Sequence, residues 1–178
     1  MGKRSDFARV ERDYYPTPEA AVLPLLPHLP YGSMFIEPCA GDGRLVRHLE
    51  KHGMSCSDMF DIEPQHPDVE KCDALGEDAW FRLKEPSADF IITNSPWDRE
   101  LFHPMIETFR RAKPTWLLHD ANWLFTKQAG PYLPYIRKIV AIGRVKWIED
   151  SKMTGKDDAV WSLHVDTEGT TEFYGRTP

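Results

Sequence analysis

Met34-Phe35-Ile36-Glu37-Pro38-Cys39-Ala40-Gly41-Asp42-Gly43-Arg44-Leu45-Val46-Arg47-His48-Leu49 contains, in order, a buried strand, a tight turn and an amphipathic helix. Met34 to Ile36 is short and apolar. Arg44 to His52 has helical spacing, with Leu45, Val46 and Leu49 inward and Gly53 as a stop. Further strands are expected over 56–62, weakly over 69–72, and clearly over 88–93. Leu101, Phe102, Met105, Ile106 and Phe109 then form one helical stripe, and 115–119, 138–145 and 159–165 read as the last three strands. Upstream, Thr17-Pro18-Glu19 reads as a helix start, with Thr17 capping and Pro18 in the first turn, although Pro24 and Pro27 keep that helix short or kinked. Strand and helix alternate, so the expected fold is α/β and doubly wound, a mostly parallel seven-stranded sheet ending in an antiparallel hairpin. Residues 1–13 are charged and aperiodic and read as an arm. Residues 14–178 read as a single domain with no separate target-recognition domain.

Composition narrows the class. The 178 residues, 41% hydrophobic and 28% charged, suit a globular domain. No apolar run reaches the roughly 20 residues a membrane helix needs. Cys39, Cys56 and Cys72 are too widely spaced for a disulfide framework or a Cys-x-x-Cys metal site, so a reducing cytoplasm is the expected setting and no metal is expected. His48 and His52 lack the glutamate that a zinc-protease helix carries and read as a solvated face. The net charge is −6 but unevenly spread: 58–89 carries −7 and 94–156 carries +5.

Glu37, Gly41 and Gly43 stand between a strand and a helix, where an open α/β sheet places its ligand crevice. The turn has no phosphate-cradling lysine, and Val46 stands where a third glycine of a dinucleotide motif belongs. A nucleoside without a pyrophosphate fits better. Asp61 and Glu63, at the end of the next strand, can take ribose hydroxyls.

On these residues the sequence resembles the class I S-adenosylmethionine-dependent methyltransferases. The resemblance aligns Glu37, Gly41 and Gly43 with their first motif and Asp61-Ile62-Glu63-Pro64 with their second. It makes Asp61 the ribose acceptor, Ile62 the packing surface for adenine and Asp73 the candidate partner of the adenine amino group. Tyr15-Pro16-Thr17-Pro18-Glu19 resembles the upstream motif whose threonine and helix N-terminus receive the methionine carboxylate, which assigns Thr17.

Asn94-Ser95-Pro96-Trp97 follows the strand over 88–93 and resembles the Asn-Pro-Pro-aromatic motif of amino-group methyltransferases. An exocyclic amine is a poor nucleophile because its lone pair is delocalised. An amide oxygen and a backbone carbonyl that accept its N–H groups localise that pair and aim it. Asn94, Ser95, Pro96 and Trp97 are therefore the catalytic candidates, with Trp97 stacking on an extruded base. Ser95 departs from the family proline and loses its fixed backbone angle. The motif order matches small, phage-type N6-adenine DNA methyltransferases. Trp147 reads as a second stacking face or as core, and Arg144 and Lys146 as phosphate contacts. Trp80, Trp116, Trp123 and Trp161 read as core or helix packing.

The resemblance implies S-adenosyl-L-methionine as cofactor and DNA as partner, bound as single strand or with low sequence specificity, or with a specificity partner or homodimer. Three alternatives stay open: an RNA amine, a protein glutamine amide, and an inactive cofactor-binding or DNA-binding remnant.

Overall fold

The computed structural model describes residues 14–147 and 155–176. The expected arm over 1–13 lies outside the described residues. In chain order, α1 (Glu19–Val22) runs into a 3₁₀ turn (Leu23–His28). β1 (Met34–Glu37), α2 (Arg44–Lys51), β2 (Ser55–Asp61), β3 (Glu70–Lys71), α3 (Glu77–Leu83), β4 (Phe90–Thr93) and α4 (Arg99–Ala112) follow. β5 (Thr115–Asp120), three 3₁₀ turns over 121–135, β6 (Ile136–Arg144), β7 (Asp158–His164) and β8 (Glu172–Tyr174) complete the chain.

One sheet contains all eight strands, in the order β3-β2-β1-β4-β5-β7-β6-β8. β1 to β5 are mutually parallel, β7 runs antiparallel to both β5 and β6, and β8 lies parallel to β6. The doubly wound sheet and terminal antiparallel pair are as expected from the sequence. An eighth strand is added at the edge, three residues long and mostly exposed, too short to announce itself by alternation. α3 also went unread, because Glu77–Leu83 offers only Ala79 and Leu83 as buried positions.

Neighbouring residues on the strands point to opposite faces and build two cores. Phe35, Ile92, Trp116 and Leu118 pack with Val22, Leu25, Leu45 and Leu49 beneath α1 and α2. Ile36, Ile91 and Leu117 pack with Leu83, Phe102, Ile106 and Phe109 beneath α3 and α4. Leu101, expected in the α4 stripe, is instead exposed. Trp161, fully buried, donates its indole N–H to the carbonyl of Ala21 at 2.8 Å and ties β7 to the first helix.

Strand order reverses between β1 and β4, which makes the gap at their carboxyl ends the topological switch point. The glycine turn leaves β1 there, and Asn94 leaves β4 beside it.

Candidate active site

The turn after β1 is held from the side of β2. Gly41 donates its N–H to Oδ2 of Asp61 at 2.9 Å, and its carbonyl accepts the N–H of Gln65 at 2.9 Å. Gly41 and Gly43 have φ of +53° and +73°, a region that costs a side-chain-bearing residue about 1–2 kcal/mol. An added Cβ at Gly41 would lie 2.6 Å from Cε2 of Tyr14. Oδ1 of Asp61 accepts the Glu63 N–H at 2.7 Å, so both carboxylate oxygens are oriented by backbone donors and each keeps a further lone pair.

Glu37, the last residue of β1, is only 2% exposed. Its Oε2 has no partner. Burial, reinforced by the negative charges of Asp61 and Asp42, pushes its pKa well above the usual carboxylate range. Ile62 presents an exposed apolar side chain just past β2. Asp73 is exposed, and its Oδ1 accepts the N–H of Leu75 at 3.0 Å, which closes its turn. The Cys72 N–H donates to the Asp61 carbonyl at 2.9 Å, which brings this loop alongside the end of β2.

Thr17 does not cap α1. Pro18 occupies the N-cap position without a side-chain bond, and Thr17 is buried. With Pro at 16 and 18, both Tyr15 and Thr17 precede a proline and are biased to extended backbone, so the helix cannot begin earlier.

Asn94 is half-buried and donates Nδ2–H to the carbonyl of Tyr15 at 3.1 Å, and its Oδ1 accepts no bond from a described residue. Ser95 is buried with its hydroxyl unpartnered, and Pro96 is half-buried. The indole N–H of Trp97 donates to the Leu118 carbonyl on β5 at 3.1 Å, which fixes the ring. Trp147 meets Trp97 edge to face, with centroids 5.6 Å apart and planes at 82°, and Tyr15 lies 6.4 Å from Trp147. A base stacked between two rings needs a gap of about 7 Å between parallel faces. As arranged, Trp97 and Trp147 are packing partners and not the two sides of such a gap. Arg144 and Lys146 are exposed where β6 ends, with Arg144 opposite Asp158 in the β6–β7 register.

Tyr14 and Tyr15 were not assigned roles from the sequence, although the prolines at 16 and 18 are a signal for extended backbone there. A buried polar chain was also missed. His119 Nε2 and His164 Nε2 each lie 2.8 Å from the Ser162 hydroxyl. These positions alternate along β5 and β7 like any inward-facing residue, and only the strand pairing brings them together.

Cys39 and Cys72 pack at the margin of the α3/α4 core. No group of three or more metal-ligating side chains occurs among the described residues. Among them, no helix is long and apolar enough to cross a membrane. A cavity of about 530 Å³ lies between α2 and β2 and touches the turn at Asp42 and Gly43. Asn94 is not among its lining residues, so the candidate site is placed by the switch point and not by this cavity.

No protein-family model matches the sequence, and no curated protein matches it. Among solved structures, the chain is similar to a protein from Pyrococcus horikoshii assigned as an RNA methyltransferase (15% identity, TM-score 0.52, 92% of each chain covered). It is also similar to a protein from Listeria monocytogenes assigned as a class I S-adenosylmethionine-dependent methyltransferase (9% identity, TM-score 0.57, 93% of this chain). A third likeness is to the methyltransferase subunit of a type I restriction-modification system from Streptococcus thermophilus (12% identity, TM-score 0.56, 91% of this chain). The chain spans 66% and 46% of the length of the latter two. At such identities the likeness establishes architecture: the chain has the Rossmann-like fold found in class I S-adenosylmethionine-dependent methyltransferases.

Proposed function

We propose that this chain transfers a methyl group from S-adenosylmethionine to an exocyclic amine of a nucleic-acid base, with adenine N6 in DNA as the first candidate. The observation that carries the reading is Asn94 at the end of β4, its amide N–H held by the Tyr15 carbonyl, next to a tryptophan anchored on β5 and across the switch point from the Gly41–Asp61 pair. The residues fit the cofactor on a structural ground. The unpartnered, buried Oε2 of Glu37 suits an ammonium, and the oriented carboxylate of Asp61 suits a pair of ribose hydroxyls.

In this reading Glu37, Gly41, Gly43, Asp61, Ile62 and Asp73 hold the cofactor, and buried Thr17 lines its methionine end. When bound, S-adenosylmethionine would supply an electrophilic sulfonium methyl that an amine can attack, with the neutral thioether as the leaving group. Asn94 Oδ1 accepts one N–H of the amine and the backbone carbonyl of Ser95 accepts the other, which draws the lone pair out of the ring and aims it. Because Nδ2 is committed to Tyr15, the acceptor end of the Asn94 amide is preset, and no reorganisation is needed as charge develops. Pro96 stiffens the turn with its fixed φ. Trp97 offers its face to the base, while Trp147 braces Trp97 from the side. Arg144 and Lys146 contact phosphates and so carry affinity without sequence preference. The likeness to a restriction-modification subunit and to a protein assigned as an RNA methyltransferase supports a nucleic-acid substrate and keeps RNA as the second reading.

The test is to incubate the protein with methyl-labelled S-adenosylmethionine and, in parallel, single-stranded DNA, duplex DNA, RNA and cell protein. Label on N6-methyladenine in DNA supports the reading, with single strands preferred because the base is already unstacked. Label only in protein amides overturns it.

A further inference from the structure

Resting on the reading of the Gly41 turn as a nucleoside site, we propose that Tyr14 is the gate of that site: its ring covers the turn and must swing away for the cofactor to seat. A ligand using a glycine turn needs the backbone at close range, which is why the turn has no side chain. At Gly41 that space is taken from within the chain. Tyr14 Cε2 and Cδ2 lie 2.6 and 3.3 Å from the position a Gly41 Cβ would occupy. Its hydroxyl end lies near the carboxylates of Asp42 and Asp61. It therefore lies between the turn, Asp42 and the carboxylate assigned to the ribose.

The hold is built to be released. Tyr14 is half-buried, and its side chain donates no hydrogen bond to a described residue that would lock the ring. The next residue is anchored separately, its carbonyl on Asn94, so Tyr14 can rotate about its own side-chain bonds while the chain from Tyr15 onward stays in place. A site open for only a fraction of the time has its affinity reduced by that fraction, and removal of the gate restores it.

Calorimetric titration of the full chain with S-adenosylhomocysteine tests the gate. Tyr14→Ala is expected to bind about three- to tenfold tighter than the wild-type chain, the factor by which a mostly closed site lowers affinity. Tyr14→Phe, which keeps the ring and loses the hydroxyl beside Asp42, is expected to gain in the same direction by less. Unchanged or weaker binding by Tyr14→Ala overturns the gate, weaker binding meaning that the ring is a wall of the site. If Tyr14→Ala does not fold, Tyr14→Phe decides alone: tighter binding supports the gate, and equal or weaker binding overturns it. If wild type and variants are folded by circular dichroism and none binds S-adenosylhomocysteine or S-adenosylmethionine, the nucleoside reading falls and takes the gate with it.

Discussion

Gly41 and Asp61, 20 residues apart, are joined by a hydrogen bond from the glycine N–H to the aspartate carboxylate at 2.9 Å. This bond welds the turn after β1 to the end of β2, and a second backbone donor, Glu63, holds the other carboxylate oxygen. Asp61 is thus both a turn brace and the proposed ribose acceptor. Asp61→Ala strands two N–H groups and should lower stability by about 1–3 kcal/mol while abolishing measurable cofactor binding. Asp61→Asn, which keeps one acceptor, should retain most of the stability and still lose affinity. Urea unfolding and calorimetry separate the two effects, and full affinity in Asp61→Asn counts against the ribose role.

Asn94→Ala should lower turnover by at least about a hundredfold, on the scale of a lost oxyanion-hole donor, with cofactor affinity nearly unchanged. Single-turnover rates at saturating S-adenosylmethionine make the measurement. A loss of cofactor affinity with the rate per complex intact would identify Asn94 as structural.

Glu37 is protonated well above the ordinary carboxylate range in the free protein, because its buried charge faces Asp61 and Asp42. An ammonium bound at Oε2 would ionise it. Cofactor binding should therefore release a proton, and affinity should rise with pH through the interval between the ordinary carboxylate pKa and the raised one. Titrations in buffers of different ionisation enthalpy count the protons. Zero release removes Glu37 from the ammonium site.

His119 is buried and its pKa is pushed down to about 4, and His164 is also lowered by burial, with His119 and Arg110 nearby. Both are neutral when folded and charge on unfolding, so the unfolded chain binds more protons below about pH 6.5. Stability is then complete above that pH and falls as pH drops toward 4, by about 1.4 kcal/mol per pH unit for His119, with His164 adding in the same direction. Urea midpoints at pH 7, 6 and 5 report the slope, which should lessen in His119→Asn. An unchanged midpoint from pH 7 to 5 contradicts it.

Ser95 buries a hydroxyl that has no partner. Ser95→Ala removes an unsatisfied polar atom and should raise stability by up to about 1 kcal/mol, visible as a melting temperature a few degrees higher. Activity should persist, since the proposal uses only the backbone carbonyl at this position. A melting temperature below wild type would mean that the hydroxyl is satisfied in solution.

Much of the architecture was written in local pattern. The apolar run at Phe35–Ile36, the glycines at 41 and 43, and the helical spacing of Leu45, Val46 and Leu49 are short-range signals. They placed a strand, a turn and a helix without reference to the rest of the chain. Asn94 and Asp61 were legible as candidates for the same reason, since one directly follows a strand and the other ends one. What the sequence could not contain is adjacency between residues far apart. Trp97 meets Leu118 because strand order puts β4 beside β5, while Tyr14 on Gly41, the Tyr15 carbonyl on Asn94 and Trp97 against Trp147 bring in segments that lie outside the strands. The eighth strand was missed because three residues carry too little alternation to register. The His119–Ser162–His164 chain was missed because a polar residue on an inward face declares its partner only once the antiparallel register is set. Local periodicity determined which elements form. Non-local pairing, which no short window of sequence encodes, decided what those elements bring together.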